Sequence, residues 1–447
     1  MRIVKLGLLL FIACFSAYDV MAQKTFTLAQ AQQFALDNNL DYLNAGLDIK
    51  IAKKKVWETT ATGLPQVNGE FNFNHFMDIG GMPFPNPMTG EMGFVQMGLE
   101  NQVDLGLTAT QLVFNGSYFV GLRAAQEYVK MTKKQQELSA AQIKENVASA
   151  YYMVLAAELN RNIVQENLVS MTQLADQTEA LYKEGMIEKL ESDQMALNVS
   201  NLNASFELAN QVLHNSVMLL NFHLGLPTQT ELVLSDDLEK IMTDLDPAVA
   251  QRVFSIDNHI EYQLLSTKEK LDKLAWRNEQ ARLLPTISAF YNNRQTRYGS
   301  DFDFPEMDVY KALEDRDWIP QQLVGLKVSM PIFTSLQGGA RMSQAKLELV
   351  KTKNTKEMVA KSLTMQANIT KSDYINAINA YNNAKDRARL TAEIYDKTLV
   401  KYREGLVSSF ELNQSKSQQL QAEGQKIESI MNVLNKKIAL DKAHSNL

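Results

Sequence analysis

The sequence predicts a mainly α-helical chain with a membrane β-barrel part, four strands per chain, arranged as an internal tandem duplication. Three observations carry this. Pro65 and Pro285, Tyr182 and Tyr402, Gly185 and Gly405, and Glu191 and Glu411 are each 220 residues apart, and one offset held over so much chain marks a repeated unit. Within each copy the hydrophobic period switches from near 3.6 to 2 and back, the signature of helix, strand pair and helix. The closing helical runs are free of proline and too long for a globular domain: Ser117 to about Tyr182 would reach roughly 100 Å at 1.5 Å per residue.

The elements follow in order. Arg2 and Lys5 precede an apolar stretch from Leu6 to Phe15, too short to span a membrane as a helix and read as a signal peptide over residues 1–22. Val20-Met21-Ala22 favours cleavage before Gln23. The other reading makes Cys14 a lipid-modified N-terminus, for which Phe11 is a poor residue three places earlier. Cleavage after Ala22 leaves no cysteine, hence neither disulfide nor thiolate chemistry. No later stretch of 18 or more apolar residues exists, so a membrane-spanning role requires a barrel rather than a helix.

The first repeat, residues 23–227, opens with helical spacing from Leu28 to Thr60, stopped by Gly63 and Pro65. Val67, Gly69, Phe71 and Phe73 then alternate with asparagines and Glu70, a strand with one apolar face. Val103, Leu105, Leu107 and Ala109 form a second. Met77 to Glu100 between them, rich in Gly, Pro and Met, reads as a long loop. Helices follow at Ser117–Tyr182 and about Glu188–Leu224, with Leu197, Leu202, Ala204, Leu208, Ala209, Val212 and Val217 as a coiled-coil-like seam. After a linker at 228–257, the second repeat, 258–447, returns the device in Ile287-Ala289-Tyr291 and Val324-Leu326-Val328-Met330-Ile332, separated by a loop from Gly299 to Pro320. Arg123-Ala-Ala-Gln126 answers Arg341-Met-Ser-Gln344 at an offset of 218, so small insertions lie inside the repeats.

Strands of about ten residues with one apolar face suit a lipid-facing barrel wall. Four cannot close a barrel, and an open edge in lipid leaves backbone groups unsatisfied at several kcal/mol each. The barrel is therefore expected to be shared. Two chains give eight strands and a filled interior, whereas three give twelve and a lumen.

Composition and motifs exclude other classes. Lys+Arg 45 against Asp+Glu 51 gives a net charge of −6, no footprint for nucleic acid. Histidines 75, 214, 223, 259 and 444 form no recognised metal-ligand spacing, and neither a Walker loop nor a GxSxG elbow is present. No enzyme and no cofactor is expected. The competing reading is an exported coiled-coil structural or adaptor protein without a pore.

Thr27-Leu28-Ala29-Gln30-Ala31, the junction Pro331-Ile332-Phe333 with Gly338-Gly339-Ala340-Arg341, and two Tyr-x-x-Gly segments with an acidic residue six places after the glycine resemble the TolC-like outer membrane efflux family. The resemblance implies a trimeric channel-tunnel in the outer membrane, extending into the periplasm as long coiled-coil helices. It implies partners too: a homotrimer, a periplasmic adaptor (membrane fusion) protein and an inner-membrane pump of RND or ABC type. Cargo would be small molecules or polypeptides. In such proteins the hairpin tips close like an iris, and the matching positions here are Tyr182, Gly185 and Glu191 in the first hairpin and Tyr402, Gly405, Glu411 and Gln414 in the second. Glu411 matches the acidic constriction residue; Gln414 stands where an aspartate is common. Val407 stands where a basic residue is frequent, leaving Lys183 or Arg403 to supply an inter-hairpin salt bridge. The alternative makes the tyrosines packing residues and the glutamates solvated helix starts, favoured there by charge alone.

Overall fold

A computed structural model describes residues 24–85, 88, 90–96, 99–245, 247–299 and 318–445. The signal segment, Cys14 and most of the second inter-strand loop lie outside the described residues. The chain divides into two compact units, one within Met1–Asp48, Lys133–Leu264 and Lys356–Leu447, the other within Ile49–Thr132 and Leu265–Thr355. Each draws on both halves of the sequence.

The second unit holds the sheet. β2 (Gln66–His75), β5 (Asn101–Phe114), β7 (Thr286–Gly299) and β8 (Ile319–Ser329) form one antiparallel sheet in the order β2-β5-β7-β8. The central pairing, β5 with β7, joins the two repeats. Register puts Val67, Phe71 and Phe73 on the same face as Leu105, Leu107, Tyr291, Val324, Leu326 and Val328. The opposite face is polar: Asn292 Nδ2 donates to Thr108 Oγ1 at 3.1 Å, and Thr296 Oγ1 donates to Asp104 Oδ1 at 2.7 Å.

Three sequence expectations shift here. β5 and β7 run 14 residues rather than about ten, because each is paired on both sides. β8 ends at Ser329, so Met330 and Ile332 fall outside it: Ser329 faces Thr286, where β7 begins. The segment read as a loop from Met77 to Glu100 contains an antiparallel hairpin, β3 (Gly81–Pro85) with β4 (Met92–Gln96). Its glycines and prolines hid the alternation, and cross-strand pairing supplied the order that local propensity did not.

The first unit is helical around one short parallel pair, β1 (Lys24–Phe26) with β6 (Leu232–Leu234). The expected single helix from Leu28 to Thr60 is two, α1 (Leu28–Asn38) and α2 (Leu40–Ala61). Asn39 breaks it, because its side chain competes with the helix for partners. Its Nδ2 donates to His223 O at 3.1 Å and its Oδ1 accepts from Asp41 N at 2.9 Å. A capping box between Thr27 and Gln30 starts α1.

The long helices are α3 (Gly116–Lys183) and α4 (Lys189–Leu224), then, after α5 (Leu238–Thr243) and α6 (Ile260–Ala281), α7 (Gln337–Arg403) and α8 (Ser409–Ala443). Tyr151, Leu220, Leu224, Tyr374, Val433 and Leu434 centre the core. Asp236, from the expected linker, ties this core together: its Oδ2 accepts from Leu28 N at 2.9 Å and lies 2.8 Å from the Tyr151 hydroxyl, which also lies 2.9 Å from Phe26 O. Burial, and the adjacent carboxylate, push the Tyr151 phenol far above its usual range.

Candidate functional site

Each long-helix pair turns in the same way. Gly185 takes φ +76° and Gly405 φ +73°, left-handed values that glycine adopts without a Cβ penalty. Gly185 N donates to Tyr182 O and Met186 N to Leu181 O; Gly405 N donates to Tyr402 O and Leu406 N to Lys401 O. These are paired Schellman closures, which satisfy the last carbonyls of α3 and α7. Both glycines are thus turn residues, as the sequence suggests. The return helices start differently. Ser408 caps α8 by accepting from Glu411 N at 3.3 Å, whereas Glu188 caps α4 with no side-chain bond.

Glu411 and Glu191 therefore occupy the first turns of α8 and α4, where negative charge is favoured. Glu411 and Gln414 are exposed and Glu191 is half-exposed. Among the described residues, neither glutamate side chain makes a hydrogen bond or ion pair. Lys183 pairs with Glu179 of its own helix at 2.7 Å. The tyrosines diverge: Tyr182 is 38% exposed, while Tyr402 packs against a cluster drawn from all four helices, Met171 and Leu174 (α3), Met195 and Leu202 (α4), Tyr395 (α7) and Leu412 (α8).

Two contacts between the hairpins escaped the sequence reading. Buried Ser409 donates through Oγ to Gln194 Oε1 at 2.7 Å. Gln194 is the repeat equivalent of Gln414, 220 residues earlier, so the duplication carried a signal for it. Lys416 carried none. It is buried, with its Nζ donating to Asn167 Oδ1 of α3, and to Gln419 Oε1 at 3.1 Å, and lying 4.2 Å from the centroid of the Tyr395 ring. Burial pushes its ammonium down to about 8. The site is thus a pair of glycine-closed tips with exposed acidic first turns, held together by an apolar cluster and buried polar pins.

Residues 31–226 match the family described as outer membrane efflux protein. The second half repeats the same order of helix, strand pair and helical hairpin. That family pattern is therefore shown for residues 31–226. Solved structures agree in fold. A membrane protein from Pseudomonas aeruginosa matches with TM-score 0.72 at 14% identity, over 95% of this chain and 92% of that one. The Campylobacter jejuni CmeC outer membrane channel gives 0.70 at 16%, over 94% and 85%. The outer-membrane channel OprN gives 0.69 at 15%, over 94% and 90%. No curated protein matches the sequence. The chain thus shares the fold of solved outer-membrane channels.

Proposed function

We propose that the chain is the channel of a tripartite efflux or export system, a homotrimer whose twelve strands enclose a lumen and whose periplasmic tips gate it. The observation that carries this is the four-stranded sheet with one apolar and one polar face and two open edges. In lipid those edges demand partners, and three copies are the fewest that leave a lumen. The two repeats, 23–227 and 258–447, are joined by the segment 228–257. A periplasmic adaptor and an RND or ABC pump select the cargo, because nothing in the chain supplies energy.

At the tips, three copies of Glu411 form a ring of negative potential in an aqueous neck, favouring cations and holding multivalent ones. Gln414 lines the next position. Tyr402, Tyr182 and Glu191 hold the hairpins closed; the packing of Tyr402 on residues of both hairpins supports its part. Mature protein, starting at Gln23, is expected to run as a trimer in native mass spectrometry and to conduct ions weakly in planar bilayers. A monomer that inserts nothing into lipid would instead favour the exported coiled-coil adaptor.

A further inference from the structure

The two segments that join paired strands stand at equivalent places in the repeats and have opposite chemistry. From Ile79 to Leu99 there is one charged residue, Glu91, and no Lys, Arg, Tyr or Trp; between Ser300 and Trp318 there are nine charged residues. Nine charges suit water, and the first composition does not. The first segment builds the β3–β4 hairpin. Register puts Met82 and Phe84 on one of its faces and Met92 and Phe94 on the other, all between 61% and 76% exposed, with Met77 and Met88 beside them at 93% and 97%. A hairpin that is apolar on both faces cannot satisfy them by lying on its own sheet, and an exposed apolar surface of this kind marks contact with a membrane or a protein.

Position selects the occupant. α2 precedes β2 and α3 follows β5, so the hairpin stands at the end of the sheet remote from these helices. It springs from the strand pair whose apolar face reaches furthest along the ladder: Phe73 faces Val103, whereas β7 turns polar on that face at Asn293, Gln295 and Arg297. The ladder then closes on a polar pair, His75 Nδ1 2.7 Å from Asn101 Oδ1, and Phe76 N donates to Glu100 O at 2.7 Å. The hairpin therefore leaves the sheet where apolar side chains on the outer face give way to polar ones, the level of lipid head groups. We propose that it is a membrane-surface anchor, which seats Met82, Phe84, Met92 and Phe94 among lipid acyl chains at the head-group boundary. This rests on the lipid-facing reading of the sheet given above and adds to it a contact outside the barrel wall.

The backbone agrees with lipid rather than with an added protein strand. An antiparallel ladder turns every second N–H of an edge strand outward. Pro83 and Pro85, two apart in β3, take those outward positions, since proline has no N–H to give β4. The free edge of β3 thus lacks donors there, which obstructs strand addition and leaves fewer backbone groups to withdraw from water at the boundary. The opposite, polar face of the sheet, carrying Asp104, Thr108, Asn292 and Thr296, offers such a hairpin no apolar partner. With no Lys or Arg between Ile79 and Leu99, anionic head groups exert no pull on it, so the contact is with the chains of the lipid and is insensitive to head-group charge.

Site-directed fluorescence quenching tests this on the full chain, whose one cysteine, Cys14, is first changed to Ser. Met82→Cys and Phe94→Cys place a bimane label on each face of the hairpin, Leu326→Cys one on the apolar face of the sheet, and Asn72→Cys one on its polar face. The protein is reconstituted in phosphatidylcholine vesicles with a nitroxide on the acyl chain near the head group, and iodide serves as the water-borne quencher. Both hairpin labels are expected to be quenched by the lipid nitroxide to within a factor of about two of the Leu326 label, as befits an element seated at the interface, and the Asn72 label by iodide alone. Adding phosphatidylglycerol or salt leaves these values unchanged. Hairpin labels that answer only to iodide, that answer to neither quencher, or of which only one meets lipid overturn the proposal, as does lipid quenching that requires phosphatidylglycerol or is lost in salt. A Leu326 label that lipid does not quench would instead sink the lipid-facing reading of the sheet, and the anchor with it. As a second readout, Phe84→Asn with Phe94→Asn is expected to abolish lipid quenching of a label at Met88→Cys while native mass spectrometry shows the same oligomer; undiminished quenching in that variant removes the role of the two rings.

Discussion

Gly185, Gly405 and Gly225 share a left-handed backbone but not a neighbourhood. A Cβ at Gly185 or Gly405 would meet nothing within 4 Å, whereas one at Gly225 (φ +75°) would stand 2.7 Å from Asn38 O. Gly405→Ala therefore costs only the backbone strain of a left-handed alanine, about 1–2 kcal/mol. Gly225→Ala adds a backbone clash and is expected to cost more; chemical unfolding that ranks the two equally would contradict this. Lys416 makes a pH prediction. Its folded pKa, about 8, lies below the ordinary lysine value of 10.5, so between these values the unfolded chain binds more protons and stability rises with pH. The cost of burying the ammonium is fully present below pH 8 and gone above 10.5. Lys416→Met, neutral and of similar length, is expected to flatten that rise, measured as melting temperature between pH 7 and 10.5.

At the scale of elements, Asp236 fastens three separate pieces: the start of α1, the end of β1 through Tyr151, and its own segment after β6. The Tyr151 hydroxyl has one proton to share between two acceptors, buried Phe26 O, which also accepts from Ser235 N, and partly buried Asp236 Oδ2, which also accepts from Leu28 N. Tyr151→Phe keeps the ring in place and is expected to cost about 1–3 kcal/mol, the penalty for leaving a buried acceptor short of a donor. Denaturant titration checks it; a change within about 0.5 kcal/mol, the range of ordinary surface substitutions, would show that the carboxylate is satisfied otherwise. The same anchoring explains why the segment after Pro227, a linker by composition, is ordered into β6, α5 and two 3-10 turns.

At the scale of the whole molecule, the charge of the tips and their closure are separable. If the proposed gate holds, Glu411→Gln changes the field in the neck without touching the Ser408 cap, which uses the backbone N–H of residue 411. It is expected to reduce cation selectivity and block by multivalent cations, with assembly intact. Tyr402→Phe with Glu191→Gln keeps the apolar packing of ring 402 but removes the hydroxyl and the charge that the proposed closure uses between copies, and is expected to raise conductance. Single-channel recordings in which Glu411→Gln leaves selectivity and block unchanged would sink the role of Glu411 while the barrel stands.

Sequence alone determined the repeat, the strand pairs and the long helices, because periodicity and a conserved internal spacing are written along one dimension. Val67 to Phe73 and Ser117 onward needed no partner to be legible, and neither did the turn glycines, whose backbone requirement is local. Tertiary structure decided whatever depends on a distant neighbour: the β3–β4 hairpin, the break at Asn39 that His223 O rewards, and the choice of Gln194 and Lys416 as pins between hairpins. It also decided where the alternation of β8 is realised, since a strand forms only where a partner strand offers its backbone groups, and β7 begins too late to pair with Met330.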